Sequence, residues 1–185
     1  MSMYYLMAQL PSLDGIGENA PPPITEERFH ELCHCFLGKK AQRNLNRLTL
    51  APPRDFEKSG SSLINAWNTA ERDLRLALGK MRAEQMQKHF DAGDAVFPIG
   101  LLQAARTAVE MENPMEAEKF LNHYRLEFLE TLRPMDMFSE DSVFYYGLKL
   151  KLILRASRFD TSAGKAAYRN IYSSILNGDR LEVLS

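Results

Sequence analysis

From Ser61 to Lys88 the chain contains no proline, and Leu63, Trp67, Ala70, Leu74, Ala77, Leu78 and Met81 recur at the spacing of one face of an α-helix. A continuous apolar face of that length must be buried against other elements, so this segment sets the scale of the fold. Beside it, Glu71, Arg75 and Arg82 step along a neighbouring strip one or two turns apart. Glu71 to Arg75 is the favourable i,i+4 order, worth only ~0.3–0.5 kcal/mol on an exposed surface. Shielded by Trp67, the same pair becomes a buried network whose loss costs several times more. Trp67, Glu71, Arg75 and Arg82 are therefore read as a structural network at a helix junction, or as a partner face if the strip is solvated.

The rest of the chain repeats the helical pattern. Thr25 is placed to cap a helix with Glu26 and Glu27 in its first turn and Phe29, Leu32, Cys33 and Phe36 on its apolar face, ending at Gly38. A short basic helix follows over Lys39 to Leu48, before Pro52-Pro53. Asp91 to Pro98 reads as a loop, and Leu101, Leu102, Ala105, Ala108 and Val109 as another helix face. Asn113-Pro114-Met115-Glu116 is the strongest start signal, with a capping side chain, proline at the first helical position and an acid at the third. The helix it opens is expected to bury Ala117, Phe120, Leu121, Tyr124, Phe128 and Leu132. Ser139 with Glu140 and Asp141 opens the next, carrying Val143, Tyr146, Leu150, Ile153 and Leu154. A last helix with Tyr168, Ile171, Tyr172 and Ile175 stops at Asn177-Gly178.

Upstream, Met3 to Leu10 is an apolar, aromatic tract that periodicity leaves open between an extended segment and a first helical turn. Gly15, Gly17 and Pro21-Pro22-Pro23 make a stiff linker. No strand-turn-strand alternation follows residue 24, so the expectation is an all-α, single-domain bundle of about six to seven helices. Residues 1–24 form its apolar segment and linker, and 25–185 its helical body.

A composition of 45% hydrophobic and 25% charged residues is that of a globular protein and excludes wholesale disorder. A net charge of −1 gives no overall pull toward nucleic acid or anionic lipid. No segment approaches the ~20 apolar residues of a membrane span, and residues 1–13 carry no basic leader. Two cysteines, Cys33 and Cys35, lie two residues apart on one helix, where they point to different faces and do not bridge. A reducing, cytoplasmic setting is the expectation.

Chemistry-bearing clusters are few. His30, Cys33 and His34 are the best metal candidates, since His30 and His34 share a helix face. Cys33, however, lies with Phe29, Leu32 and Phe36, and no second Cys/His pair closes a tetrahedron, so a buried structural cysteine is the better reading. A Cys/His nucleophile pair needs an activated thiolate that Cys33 is not placed to supply. No phosphate-binding glycine loop or nucleophile elbow is present, and no cofactor is expected. Lys39, Lys40, Arg43 and Arg47 form one basic cluster, better explained as a solvated helix face than as a nucleic-acid site.

Certain residues together carry a resemblance over almost the whole chain. They are Tyr4-Tyr5-Leu6, Ala8 and Leu10-Pro11; Phe29, Leu32 and Cys33; Trp67, Glu71, Leu74-Arg75 and Arg82-Ala83; Glu112-Asn113-Pro114 with Glu116-Ala117-Glu118; and Leu148-Lys149-Leu150 with Phe159-Asp160. On these the chain resembles a bacterial family of uncharacterised proteins associated with V-type ATPase gene sets. That family is itself distantly similar to the V/A-type ATPase C (or d) subunit, where mainly the long-helix residues carry over. The resemblance implies a non-catalytic helical protein that belongs to or attends the rotary ATPase. The C subunit is a socket between central stalk and proteolipid ring, and this shorter chain would supply part of its helical modules. The implied partners are other V-type ATPase subunits, in the central stalk or membrane sector, with no nucleic acid and no membrane insertion. The implied location is cytoplasmic, peripheral on the inner face of the membrane. The alternatives are a small metal-dependent or Cys/His hydrolase centred on His30, Cys33 and His34, and an adaptor unrelated to the ATPase.

Overall fold

The computed structural model describes residues 3–16, 20–91, 95–158, 164–165 and 168–173. It is all-helical, and no strand occurs among the described residues. Seven helices run as α1 (Met3–Gln9), α2 (Glu26–Phe36), α3 (Lys39–Asn46), α4 (Ser62–Gln85), α5 (Ile99–Glu110), α6 (Pro114–Thr131) and α7 (Glu140–Ser157). A further helical stretch covers 168–173, whereas Ile175, Asn177 and Gly178 lie outside the described residues. No helix among the described residues is long and apolar enough to cross a membrane.

Side chains start these helices where the sequence places capping residues. Thr25, Ser61, Asn113 and Ser139 accept hydrogen bonds from the amides of Arg28, Ile64, Met115 and Ser142, satisfying donors that a helix N-terminus otherwise leaves open. Ser61 does more, because its hydroxyl also donates to Asp141 Oδ1 at 2.6 Å. Asp141 thus lies between the first turns of α4 and α7, where its charge complements both helix dipoles.

Of the two readings left open for the apolar tract at the start, the structure takes the helical one, as α1, with Leu6 fully buried. Helix α2 stops at Phe36 with Leu37 as its C-cap, just before Gly38, which with φ −69° is also the N-cap of α3.

The core divides into two apolar clusters. The larger joins α1, α2, α3, the first turns of α4 and the end of α6 around α7, with Phe29, Trp67, Leu129 and Phe144 among its members. The smaller lies between the rest of α4, α5 and the start of α6, built on Leu74, Ala77, Leu78, Met81, Leu101, Ala105, Ala108 and Leu121. Helix α7 is buried continuously from Ser142 to Leu150, which marks it as the central helix of the first cluster. Gly147 permits that centrality: a Cβ there would meet Leu48 Cδ2 at 3.0 Å and Phe29 Cε1 at 3.1 Å.

Helix α4 ends in a Schellman motif. The amide of Lys88 donates to Ala83 O at 2.8 Å and that of Gln87 to Glu84 O at 3.1 Å, with Gln87 at φ 53°. A side chain in this left-handed conformation meets the following carbonyl and costs about 1 kcal/mol. Gln87→Gly is expected to stabilise the protein by about 0.5–1 kcal/mol, read as a higher midpoint in thermal or urea denaturation; Gln87→Ala should give no such gain.

Candidate functional site

On α4, Glu71 lies between Trp67, a member of the first apolar cluster, and Leu74, a member of the second. Arg125 occupies the matching place on α6, between Leu121 and Leu129. The two side chains meet there as a bidentate pair. Arg125 Nε donates to Glu71 Oε2 at 2.8 Å and Arg125 Nη2 to Oε1 at 2.9 Å, with the side chains 6% and 3% exposed. A planar guanidinium matches a carboxylate in this way more rigidly than an ammonium can.

Arg125, rather than Arg75, is therefore the partner of Glu71. Arg75 turns outward along α4, where its guanidinium donates to the carbonyls of Pro52 and Glu71. Trp67 is buried and its indole Nε1 donates to Thr49 O at 3.1 Å. Trp67 and Arg75 thus fasten the loop 48–53 onto α4 by bonds to its backbone. Arg82 is exposed near the end of α4 and is not brought to Glu71. The expected face of α6 is rotated for the same reason. Leu121, Asn122, Arg125 and Leu129 are buried, while Ala117, Phe120, Tyr124, Phe128 and Leu132 are half-buried at its flanks.

A half-open cavity of about 630 Å³ lies over this junction. Ala66, Ala70 and Leu74 of α4, Leu101 of α5, and Tyr124 and Phe128 of α6 give it an apolar lining, with Glu71 and Arg125 also on its wall. Size and lining suit an apolar ligand or side chains held by a few polar contacts.

A second polar junction sits on α7. Lys149 Nζ donates to Asp14 Oδ1 at 2.6 Å and Glu130 Oε1 at 2.7 Å, tying the N-terminal segment to α6 and α7. It lies 5.8 Å from the centre of the Tyr145 ring. Burial alone would lower the Lys149 pKa, but the bonds to the two carboxylates outweigh it and hold the ammonium above its ordinary value. Asp14 is lowered chiefly by its bond to Lys149. Burial opposes the shift of Glu130, yet the bond to Lys149 takes it down as well.

The histidine and cysteine candidates separate. Cys33 is buried and Cys35 exposed. Burial pushes the Cys33 thiol up to about 12, away from the thiolate a nucleophile or zinc ligand requires. His34 is exposed, and His30 Nε2 stands 3.8 Å from Glu26 Oε1 in its own helix. Among the described residues no three His, Cys, Asp or Glu side chains converge as metal ligands. Lys39, Lys40, Arg43 and Arg47 are all exposed on or beside α3.

Sequence reasoning did not single out a surface of exposed apolar side chains formed by α1 and the loop between α6 and α7. Tyr4, Tyr5, Met135, Met137 and Phe138 are exposed there, and the Tyr4 ring lies 5.4 Å from Phe138 and 5.8 Å from Tyr5 between centroids. The surface runs into a cleft of about 260 Å³ beside Lys149, lined by Met7, Leu10, Met137 and Tyr145.

The family described as "Protein of unknown function (DUF2764)" matches residues 87–179, which contain α5, α6 and α7, and the chain belongs to that family. No curated protein and no solved structure matches it.

Both polar junctions give testable energetics. Arg125→Ala or Glu71→Ala strands a buried charge and should cost about 3–5 kcal/mol, whereas Arg125→Met with Glu71→Leu should recover most of the loss. Arg75→Ala should cost about 1 kcal/mol, and its effect should add to that of Glu71→Ala; urea titration of the single and double variants measures both. At the second junction, Asp14 and Glu130 are lowered from 3.8 and 4.5, so their contribution is complete above those values and fades as pH falls through the folded ones. Lys149 is raised from 10.5, so its contribution is complete below that pH and fades only above the folded value. Denaturation from pH 2 to pH 6 should therefore show an acid loss that is smaller in Lys149→Met by about 1 kcal/mol, a modest effect because both carboxylates are partly exposed.

Proposed function

We propose that the chain is a non-catalytic interaction protein, an accessory component or reduced C-like subunit of a bacterial V-type ATPase. Its exposed aromatic and methionine surface carries this reading. Tyr4-Tyr5-Leu6 belongs to the residues on which the resemblance to the uncharacterised family associated with V-type ATPase gene sets rests, and the three side chains divide their work. Leu6 is fully buried and anchors α1, whereas Tyr4 and Tyr5 are 56% and 61% exposed beside Met135, Met137 and Phe138. Aromatic residues and methionine are enriched at the centres of protein interfaces, where large rings bury much area at little entropic cost and thioethers adapt to the partner. An apolar face of another subunit, in the central stalk or membrane sector, is the partner proposed. Through it the chain would sit on the cytoplasmic side, peripheral to the membrane.

The two polar junctions support the same reading. Glu71 with Arg125 joins α4 to α6, and Lys149 with Asp14 and Glu130 joins α7 to the N-terminal segment and α6, so their chemistry is engaged in holding the fold together. The hydrolase alternative needs an activated Cys33, and burial moves that thiol the opposite way.

Tagged chain recovered from its native bacterium should bring V-type ATPase subunits with it, identified by mass spectrometry. Tyr4→Ser with Tyr5→Ser and Phe138→Ser should lose them while retaining the helical circular-dichroism signal. Recovery free of ATPase subunits would overturn the proposal. So would stoichiometric zinc that disappears in Cys33→Ala with Cys35→Ser.

A further inference from the structure

Residues 38–60 hold six cations and two acids, a net +4, in a chain whose other residues carry −5. The fold gathers these cations on one side. Helix α3 buries Ala41 and Leu45, and at about 100° per residue Lys39, Lys40, Arg43 and the C-cap Arg47 fall together on the opposite side of the helix. All four are exposed. The loop after Pro53 then turns back along α3, since Glu57 Oε2 lies 3.7 Å from Arg47 Nη1 and Lys40 Nζ lies 3.2 Å from where a Cβ of Gly60 would stand. Arg54 and Lys58, also exposed, extend the basic surface from that loop.

The fold itself makes little use of these charges. Lys39, Lys40 and Arg43 form no ion pair among the described residues, and Arg47 has only the loose contact with Glu57. Two of them stand where a cation opposes helix formation. Lys39 and Lys40 begin α3, at the positive end of its dipole, with no acid in the first turn and no side-chain bond from its N-cap Gly38. A negative surface facing the helix from outside would relieve that repulsion.

We propose that α3 and the loop 54–60 lie against the headgroups of anionic lipid, an electrostatic contact without insertion. The proposal deepens the peripheral location proposed above and rests on it for the choice of membrane face.

The character of the surface selects this occupant. No large apolar side chain of α3 is exposed, and no α3 residue lines either cavity. Protein interfaces are centred on apolar or aromatic side chains and are depleted in lysine, whereas an anionic bilayer requires only a cluster of mobile cations on an outward face. Each Lys or Arg held near such a bilayer contributes roughly fivefold in affinity. The acidic remainder of the chain does not cancel the attraction, because charges beyond a Debye length of about 8 Å are screened at physiological salt. It turns the basic side toward the membrane instead.

Sedimentation of the purified full chain with vesicles tests the proposal without the ATPase, so its failure and failure to recover ATPase subunits are separate results. Vesicles of phosphatidylglycerol and phosphatidylcholine in equal parts should bind the chain, and vesicles of phosphatidylcholine alone should not. Raising sodium chloride from about 0.05 M to about 0.3 M should weaken binding at least ~10-fold. Lys39→Gln with Lys40→Gln should weaken it roughly 30-fold, while Lys39→Arg with Lys40→Arg should leave it unchanged. Neither pair should lower the thermal midpoint, since both lysines oppose the dipole of α3, and this separates a lost contact from a lost fold. Absence of binding to the phosphatidylglycerol vesicles would overturn the proposal, as would full binding by Lys39→Gln with Lys40→Gln. Binding lost in Tyr4→Ser with Tyr5→Ser and Phe138→Ser would overturn it in favour of insertion by the aromatic surface. A duplex oligonucleotide bound more tightly than the vesicles at the same salt would overturn it in favour of nucleic acid.

Discussion

The Glu71–Arg125 pair ties α4 to α6, two helices that pack mainly on α5 and α7, at the place where the two apolar clusters adjoin. Two ions removed from water at 3% and 6% exposure face a desolvation cost of several kcal/mol each, which only close, well-aligned hydrogen bonds offset. The net gain over an apolar pair is small. The difference between this register and its neighbours is large. Sliding α6 by one turn along α4 would set Leu121 or Leu129 against the carboxylate and leave the guanidinium among leucines. The pair thus selects one arrangement in which Trp67 and Leu129 complete one apolar cluster while Leu74 and Leu121 complete the other.

Helix α7 plays the corresponding part within the first cluster, with packing as the main device. Gly147 lets Phe29 and Leu48 approach its backbone. Its N-terminus is joined to that of α4 through Asp141 and Ser61, and Lys149 gathers Asp14 and Glu130 midway along it. Side chains far apart in sequence therefore converge on a helix whose own pattern shows little more than continuous hydrophobicity.

What was legible in the sequence was local. Thr25, Ser61, Asn113 and Ser139 mark their helices because a cap depends on an amide two or three residues away. The burial of Trp67 and Cys33 follows from helical spacing in the same direct way. The partner of Glu71 was not legible, since Arg125 stands 54 residues off and a neighbouring arginine at i+4 was already available. A signal does exist: Leu121, Arg125 and Leu129 recur at four-residue intervals, placing a cation at the centre of an apolar face. Such a cation requires a buried anion, and Glu71, between Trp67 and Leu74, is the acid in the same predicament. Counting apolar residues alone rotated the face of α6 toward Phe120, Tyr124 and Phe128, which instead sit half-buried at its flank. The exposure of Tyr4 and Tyr5 was illegible for a different reason, because an aromatic run at the start of a chain reads as core until its neighbours are known.

The rotated face of α6 also explains why the groove exists. Arg125 is the residue of α6 that reaches Glu71 on α4, and the bulky residues beside it, Tyr124 and Phe128, form a wall of the groove. Across from them α4 presents the small side chains of Ala66 and Ala70, with Leu74 of the second cluster at its edge. Turning α6 to bring these aromatic residues inward would carry Arg125 away from Glu71 and break the two hydrogen bonds between them. The ion pair opposes that rotation, since breaking it in a buried setting costs more than two half-buried rings would recover. The groove is in this sense a consequence of the charge pair, and whatever enters it rests against a wall whose geometry the two ions maintain.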